Sequence, residues 1–330
     1  MSDAIFISCN GGYLPCLNAF LNSIEKQQLR RQEVRKGLDV YLVHWNVPEE
    51  YIRAANKSFT TFKLLPIPVD PADFKFAEFS EMEICKCSRY FYMRDICATN
   101  KYDTVCLMDV DLMIVSPDFF NLFDMVYSTD LAIGCNERFK WTVGRQYKHL
   151  NGEVLFEQPT RLLKFHCNTP LFIGNPGGQQ WQNVFDKYLE IVYQATEDHP
   201  KKGRCKVGDI FAWNFAVNIA GMEDRVILFP MEVMTQVHQT AYKEWTRLQR
   251  YEDHYYTFAG DTVLCLHGRV HKPQFGDYTE ERIGVPDGII RAVNRLYRAE
   301  WYNLNFRQTL VLSEFTPMTP YWEEMKKEFG

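Results

Sequence analysis

The chain has 330 residues, of which 46% are hydrophobic and 15% aromatic, and this composition excludes an intrinsically disordered protein. Lysine and arginine number 37 against 42 aspartates and glutamates, so the net charge of −5 gives no overall attraction to nucleic acid or anionic membrane. No apolar run approaches the roughly 18 residues of a membrane span, and the N-terminus does not resemble a signal peptide. Ten cysteines without a Cys-x-x-Cys pair indicate buried thiols in a reducing compartment, so we expect a cytoplasmic protein.

The first 135 residues alternate β-rich runs with helical segments, which is typical of parallel α/β units. The patterns predict strands over 4–9, 38–44, 62–67 and 104–109, and helices over 14–28 and 82–99, with a further helical segment between the second and third strands. We therefore predict an α/β fold whose mostly parallel, Rossmann-like sheet is flanked by helices. Ligands of such sheets bind beyond the carboxyl ends of the strands, where Asn10-Gly11-Gly12 and Asp109-Val110-Asp111 lie.

The second half of the chain is less regular. A polar, partly basic stretch over 137–158 is interpreted as an insertion over the cleft, and a hydrophilic hinge is predicted over 199–204. Further predicted elements are strands over 171–174, 226–229 and 262–266 and helices over 180–193, 210–220 and 288–302. The aromatic tail over 315–329 is either a packing strap or an interaction segment.

We predict a catalytic domain over 1–285, with a nucleotide-binding half over 1–115 and a sugar and acceptor half over 116–285. The C-terminal helix and tail, 286–330, are expected to pack on this domain.

Asp109 and Asp111 follow a buried strand at the predicted ligand-binding edge. A buried charge without a partner is costly, and a divalent cation would offset that cost. Carboxylate oxygens suit Mg²⁺ or Mn²⁺, which also keeps coordination positions for substrate phosphates. The alternative is an ordinary solvated junction between a strand and a loop.

A second strand ends in a loop that carries imidazoles and cations. His267 and His271 are each candidates to complete a manganese site, and Lys272 with Arg269 could neutralise a diphosphate. Hydrogen-bonded surface histidines are the alternative.

Two further polar positions have both a functional and a structural interpretation. Asp209 begins a helix, where a carboxylate is favoured merely as a cap. Asn168 precedes the predicted strand over 171–174 and could equally belong to a turn.

In this order the motifs resemble glycosyltransferase family 8, the retaining, metal-dependent GT-A transferases that include glycogenin-like and bacterial galactosyltransferase-like enzymes. The resemblance spans residues 4–273. It implies that Asn10 contacts a uracil base and Tyr13 stacks on it, and that Asp109 and Asp111 bind the metal. It further implies a donor-binding role for the basic residues Arg94 and Arg89 upstream of that motif.

The remaining motifs extend the resemblance. Asn168-Thr169-Pro170 resembles the donor-sugar turn, and 208–214 resembles the Asp-Gln helix start, so Asn168 and Asp209 are expected to orient donor hydroxyls. The segment 267–273 resembles the closing loop, in which His267 would be a metal ligand and Lys272 a diphosphate ligand. Together these motifs imply a UDP-sugar donor, Mn²⁺ or Mg²⁺, and transfer to a hydroxyl acceptor.

Three departures from the family pattern bear on the chemistry. Ile210 replaces the glutamine that is a candidate nucleophile or stabiliser, so retention would require attack from the leaving-group face. The closing loop is one residue short, which leaves His267 and His271 as alternative ligands. Thr169-Pro170 in place of Ser-Gly suggests an altered sugar pocket.

Other functions fit the residues less well. A pseudo-transferase that binds nucleotide sugar or glycan without turnover is the non-enzymatic alternative. A haloacid-dehalogenase-like phosphatase would need a small β-branched residue at Met113 and a carboxylate at Asn214. Mixtures of cations and aromatics over 138–149 and 242–251 could stack sugars or nucleic-acid bases, so a modified DNA base remains a possible acceptor.

Overall fold

The computed structural model describes residues 2–70, 81–99, 102–136, 146–149, 151, 153–157, 167–175, 177–199, 203–234, 249–257, 260–267, 287–317 and 319–330. Its helices are α1 (Leu14–Leu29), α2 (Glu49–Ser58), α3 (Glu81–Cys97), α4 (Asn121–Val126), α5 (Gln179–Gln194), α6 (Asp209–Ile219), α7 (Met231–Met234), α8 (Asp287–Phe306) and α9 (Pro320–Phe329). Its strands are β1 (Asp3–Asn10), β2 (Leu38–Trp45), β3 (Lys63–Pro68), β4 (Thr104–Met108), β5 (Leu112–Ile114), β6 (Ala132–Asn136), β7 (Gln146–His149), β8 (Val154–Glu157), β9 (Cys167–Gly174), β10 (Ala195–His199), β11 (Gly203–Lys206), β12 (Val226–Phe229), β13 (Gln249–Tyr251), β14 (His254–Tyr256) and β15 (Cys265–His267).

A seven-stranded sheet with the order β12-β6-β9-β4-β1-β2-β3 organises the molecule. The four strands β4, β1, β2 and β3 run parallel, whereas β9 is antiparallel to both of its neighbours. The predicted α/β class and mostly parallel sheet are confirmed. Parallel order puts the carboxyl ends of β4, β1 and β2 side by side at one edge, where the loop after β1 meets the loop after β4.

Both faces of the sheet are covered, which explains why its strands read as nearly continuous apolar runs. Ile5 and Ile7 of β1 point into a core that is shared with α1 and α2, while Ala4 and Phe6 point into a second core. That second core includes Trp181 of α5 and the aromatic residues of α6. The fold is therefore a sheet between two helical layers.

The segments that the sequence patterns left irregular contain a second sheet. Strands β11, β10, β7 and β8 form an antiparallel four-stranded unit, so the predicted hinge over 199–204 is wrong: β10 and β11 pair across it as a hairpin. Strands β7, β10 and β11 have four or five residues and a polar sequence, so they lack the apolar alternation by which strands are identified. Strand β8 is apolar but has only four residues. The predicted strand over 262–266 is shifted, because β15 spans Cys265–His267.

The C-terminal segment packs against α1. The Asn18 amide donates to Asn305 Oδ1 of α8 at 3.1 Å, and Lys26 pairs with Glu300 at 2.9 Å. In the tail, Trp322 and Met325 of α9 are buried in the same core as α1. The tail is thus a packing element, while the domain boundary predicted at 285 lies outside the described residues. None of the described helices has the length and apolar character that crossing a membrane requires.

Candidate active site

The candidate site lies where β4 and β1 end side by side. Asn10 closes β1 and is followed by a single 3-10 turn, Gly11–Tyr13, from which α1 starts with proline in its first turn. Asp109, Val110 and Asp111 follow β4 directly. A cavity of about 150 Å³ opens between these loops. It is lined by Ser8, Cys9, Tyr13, Lys86, Asp109, Val110 and Asp111.

Asp109 is held by a fully buried arginine from α3. Arg89 Nη2 lies 2.6 Å from Asp109 Oδ1, and Arg89 Nη1 donates to the Met108 carbonyl at 2.6 Å. Burial by itself would lower the pKa of Arg89, but the nearby Asp109 carboxylate, together with Tyr90 and Asp209, outweighs burial and raises the pKa, so the guanidinium stays charged. Arg89 thus holds the end of β4 and the Asp109 carboxylate in place. Asp109 lines the cavity, whereas Arg89 lies behind it.

Lys86 connects this carboxylate to the start of α6. Its ammonium lies 2.9 Å from Asp209 Oδ2 and 3.9 Å from Asp109 Oδ2. Burial would raise the pKa of Asp209, but the charge and hydrogen bond of Lys86, with Arg89 and the Ile210 backbone amide, lower it on balance. Asp209 is therefore a carboxylate at neutral pH and serves as the first residue of α6 as well as a member of the site.

Asp111 contacts His267 across a strand pair. Strand β5 follows Asp111 and pairs antiparallel with β15, with Leu112 opposite His267. This register brings His267 Nε2 to 3.0 Å from Asp111 Oδ1, and both side chains are almost completely buried. The two predicted metal ligands thus approach each other although 155 residues separate them in the sequence.

The donor set suits Mn²⁺ or Mg²⁺ in its chemistry, since it comprises two carboxylates and an imidazole. Within the described part of the chain, however, no group of three histidine, cysteine, aspartate or glutamate side chains converges as a preformed metal site. Asp109 faces Arg89 and Lys86, whereas Asp111 faces His267. Asp111 and His267 are the carboxylate and the imidazole that contact each other directly.

A close approach of two backbone segments shapes the loop after β1. A Cβ atom on Gly11 would lie 2.4 Å from the carbonyl oxygen of Asn46, the residue after β2. Asn46 itself adopts a left-handed conformation with φ of 55°. Glycine is required at position 11 because any side chain would collide with this carbonyl.

Other predicted residues lie away from this cavity or outside the described structure. Arg94 forms ion pairs with Asp95 and with Asp186 of α5, and it does not line the cavity. Asn168 lies in β9 opposite Cys135, and its side chain is outside the described part of the structure. Lys272, His271 and Arg269 are also outside the described residues, so their predicted roles stay predictions.

Sequence reasoning missed Lys86. Lys86 precedes Arg89 by three residues, so both side chains share one face of α3, whereas Arg94 follows Arg89 by five residues and points elsewhere. Helical periodicity applied to the predicted helix over 82–99 would have selected Lys86 with Arg89. The order of motifs instead suggested Arg94.

The comparisons with known proteins define the fold class. No protein-family model and no curated protein matches the sequence. Among solved structures, the bifunctional glycosyltransferase WbbM matches 99% of this chain with a TM-score of 0.55 at 14% identity, and the chain spans about half (51%) of that protein. The galactosyltransferase LgtC, solved with donor and acceptor sugar analogues, matches 98% of this chain over 99% of its own length, with a TM-score of 0.50 at 12% identity.

Both matches are glycosyltransferases, and the central sheet with its flanking helices has the GT-A fold of these neighbours. The predicted fold is therefore confirmed. The haloacid-dehalogenase-like alternative receives no support from either neighbour.

Proposed function

We propose that the protein is a metal-dependent glycosyltransferase that moves a sugar from a UDP-sugar to a hydroxyl acceptor. The observation that carries this proposal is a cluster of ion pairs beside the Asp111–His267 pair, at the carboxyl edge of a GT-A sheet. The cluster consists of four charged side chains, Lys86, Arg89, Asp109 and Asp209. The structural neighbours are glycosyltransferases, which supports sugar transfer as the reaction class. The charged side chains are suited to binding a diphosphate.

The charge balance of the cluster favours a diphosphate with a divalent cation. Lys86 and Arg89 neutralise Asp109 and Asp209, and Asp111 adds one negative charge that His267 contacts. A divalent cation on Asp111 and His267 would turn this group net positive. A positive, partly buried site stabilises the charge that develops on a departing diphosphate.

Each residue has a distinct part in the proposed reaction. Tyr13 lies on the cavity wall, where its ring can stack on the base, at the N-terminal end of α1. Lys86 is the described cation that lines the cavity, so it donates to the diphosphate oxygens. Asp209, kept ionised by Lys86, accepts hydrogen bonds from donor-sugar hydroxyls, and Asn168 would assist it. When bound, the metal would neutralise diphosphate charge as the sugar leaves.

Retention is proposed to proceed without a protein nucleophile, because Ile210 occupies the position of the candidate glutamine. The bond between the anomeric carbon and the diphosphate oxygen breaks, and its electron pair stays on that oxygen. The acceptor hydroxyl attacks from the same face, forms the new glycosidic bond and gives its proton to the diphosphate. Lys86 stabilises the diphosphate throughout this step.

The proposal extends to the acceptor and the compartment. The cation and aromatic mixtures over 138–149 and 242–251 lie mostly outside the described residues, although Tyr251 is described and 69% exposed. These mixtures fit a glycan, and the modified DNA base remains the second candidate. The eight described cysteines that are buried free thiols support a reducing, cytoplasmic location.

A donor screen tests the proposal. Purified protein is incubated with UDP-glucose, UDP-galactose and other nucleotide sugars, with Mn²⁺ or with EDTA, and released nucleotide is measured. We expect Mn²⁺-dependent release of UDP from at least one donor. Binding of donors without release of nucleotide, with water or any acceptor offered, would instead establish the pseudo-transferase. Absence of nucleotide-sugar binding would contradict both functions.

A further inference from the structure

Two polar side chains at the ends of β1 and β2 hold buried atoms that lack hydrogen-bond partners. Oδ1 of Asn10 and Nε1 of Trp45 are both inaccessible to solvent and unbonded among the described residues. Leaving a buried donor or acceptor unpaired costs free energy, so each such atom calls for an explanation, and a ligand absent from the structure is one. Other buried atoms are also unbonded, but these two belong to residues that are direct neighbours in the sheet.

Asn10 and Trp45 share one face of the sheet. They are register partners in the parallel β1–β2 pair, and adjacent strands lie about 4.8 Å apart. Alternation along β1 places Asn10 on the same face as Phe6 and Ser8, and Ser8 lines the cavity. Alternation along β2 likewise places Trp45 on the face of Tyr41, which stacks on Phe6. One acceptor and one donor therefore stand side by side on the face of the sheet that also carries Ser8, a residue of the cavity wall.

Strand order places this pair at the base end of a nucleotide. Strand β1 lies between β4, which Asp109 and Asp111 follow, and β2, which ends at Trp45. A diphosphate held at the end of β4 would direct its nucleoside past Tyr13 toward β2. The contact between Gly11 and the Asn46 carbonyl fixes the two loops relative to each other, so the spacing of Asn10 and Trp45 is set by backbone packing.

We infer that Trp45 is a base-specificity residue, whose indole N–H, together with the Asn10 side-chain oxygen, selects uracil in the donor. This inference rests on the proposed function. Uracil N3–H would donate to Asn10 Oδ1, and uracil O4 would accept from Trp45 Nε1. Cytosine in the same orientation presents an amino group to the indole N–H and a bare ring nitrogen to the amide oxygen, so both contacts become repulsive.

Calorimetry with UDP and CDP in the presence of Mn²⁺ tests the inference. For the wild-type protein we expect UDP to bind at least about tenfold more tightly than CDP, because two contacts discriminate. Trp45→Phe keeps an aromatic ring and removes the N–H donor. We expect it to weaken UDP binding about five- to twentyfold, leave CDP binding nearly unchanged and leave the melting temperature within about 2 °C.

Trp301→Phe is the matched control. Trp301 Nε1 is also buried without a partner, but it lies in α8 beside Tyr321 and Trp322, so this variant should bind UDP as the wild type does. If Trp45→Phe leaves the UDP affinity within twofold, or if the wild type binds CDP as tightly as UDP, the inference is overturned while the proposed transferase function stands. If no nucleoside diphosphate or nucleotide sugar binds with Mn²⁺ present, the proposed function itself fails.

Discussion

The two aspartates of the Asp-x-Asp motif lie two residues apart and have opposite surroundings. Asp109 contacts two cations from α3, one of which is completely buried, whereas Asp111 contacts the imidazole of His267. Asp109 is thus already neutralised by the protein and fixed to its scaffold. Asp111 instead lies beside an imidazole, a side-chain type that commonly binds metals when it is neutral.

This difference shows how the two carboxylates of one short motif can have different roles. A carboxylate that is bound to a buried guanidinium organises the loop, since breaking such a pair leaves an uncompensated charge. A carboxylate beside an imidazole can accept a cation without first losing a protein cation. We therefore propose a mainly positioning role for Asp109 and the larger share of metal binding for Asp111. The following variants separate the two roles.

Replacing Lys86 should have the largest effect on turnover. Lys86→Met removes the described cation on the cavity wall, and we expect kcat for the best donor to fall about 100-fold, the scale of losing one preorganised electrostatic contact. Arg94→Met is the matched control on the same helix, because its ion pairs with Asp95 and Asp186 lie away from the cavity. Equal losses in both variants, measured as nucleotide release, would contradict the assignment of Lys86.

Asp109→Asn should be primarily a stability variant. It leaves Arg89 buried next to an uncharged side chain, so we expect the free energy of unfolding to fall by about 2 kcal/mol or more. The matched control is Asp95→Asn, which disrupts a partly exposed pair with Arg94 and should cost less than about 1 kcal/mol. Urea denaturation of both variants makes the comparison. A stable Asp109→Asn protein would show that Arg89 does not depend on this carboxylate.

Gly11→Ala should destabilise the loop that follows β1. The added carbon would lie 2.4 Å from the Asn46 carbonyl oxygen, and we expect a loss of about 1–3 kcal/mol as the two loops separate. Gly178→Ala provides the comparison, because no atom lies within 4 Å of its added carbon and a weaker helix cap is its main expected cost. Thermal unfolding measures both. An unchanged melting temperature for Gly11→Ala would mean that the loops are not in contact.

The smallest effect concerns His44, near the carboxyl end of β2. Burial lowers the pKa of this imidazole below its usual value, so the unfolded chain takes up a proton at higher pH than the folded protein does. Stability therefore falls as pH drops through about 6.5, and His44→Leu should reduce that fall. Urea midpoints between about pH 7 and pH 5 compare the pH slopes. Identical slopes would show that His44 titrates alike in both states.

Hydrophobic periodicity correctly predicted the helices and strands whose apolar residues follow a regular pattern from end to end. The strand over 4–9 and the helix over 14–28 match β1 and α1 within one or two residues, because both are buried along most of their length. Strand β8 was missed because its apolar run is short, and the polar strands β7, β10 and β11 were missed for the converse reason. Their pairing depends on backbone hydrogen bonds and supplies no apolar alternation that a sequence could show.

The site was predictable where a motif ends a strand, and not where distant elements meet. Asp109 and Asp111 were selected as candidates because they follow a predicted strand, and Tyr13 through the family resemblance; all three line one cavity. Lys86 and Trp45 belong to no motif: Lys86 enters the site through the packing of α3 against β1, and Trp45 through the β1–β2 register. Helical spacing relates Lys86 to Arg89, but the placement of Lys86 and Trp45 in the site depends on tertiary contacts, which a single sequence does not encode as a local pattern.

The most direct test of the central claim is calorimetry of UDP with the wild-type protein and with Asp111→Asn, each with Mn²⁺ and with EDTA. If Asp111 and His267 hold the cation for the diphosphate, Mn²⁺ should raise the UDP affinity of the wild type at least about tenfold and should have little effect on Asp111→Asn, whose fold stays intact. An equal gain from Mn²⁺ in both proteins, or no gain in the wild type, would contradict the proposed metal-dependent site.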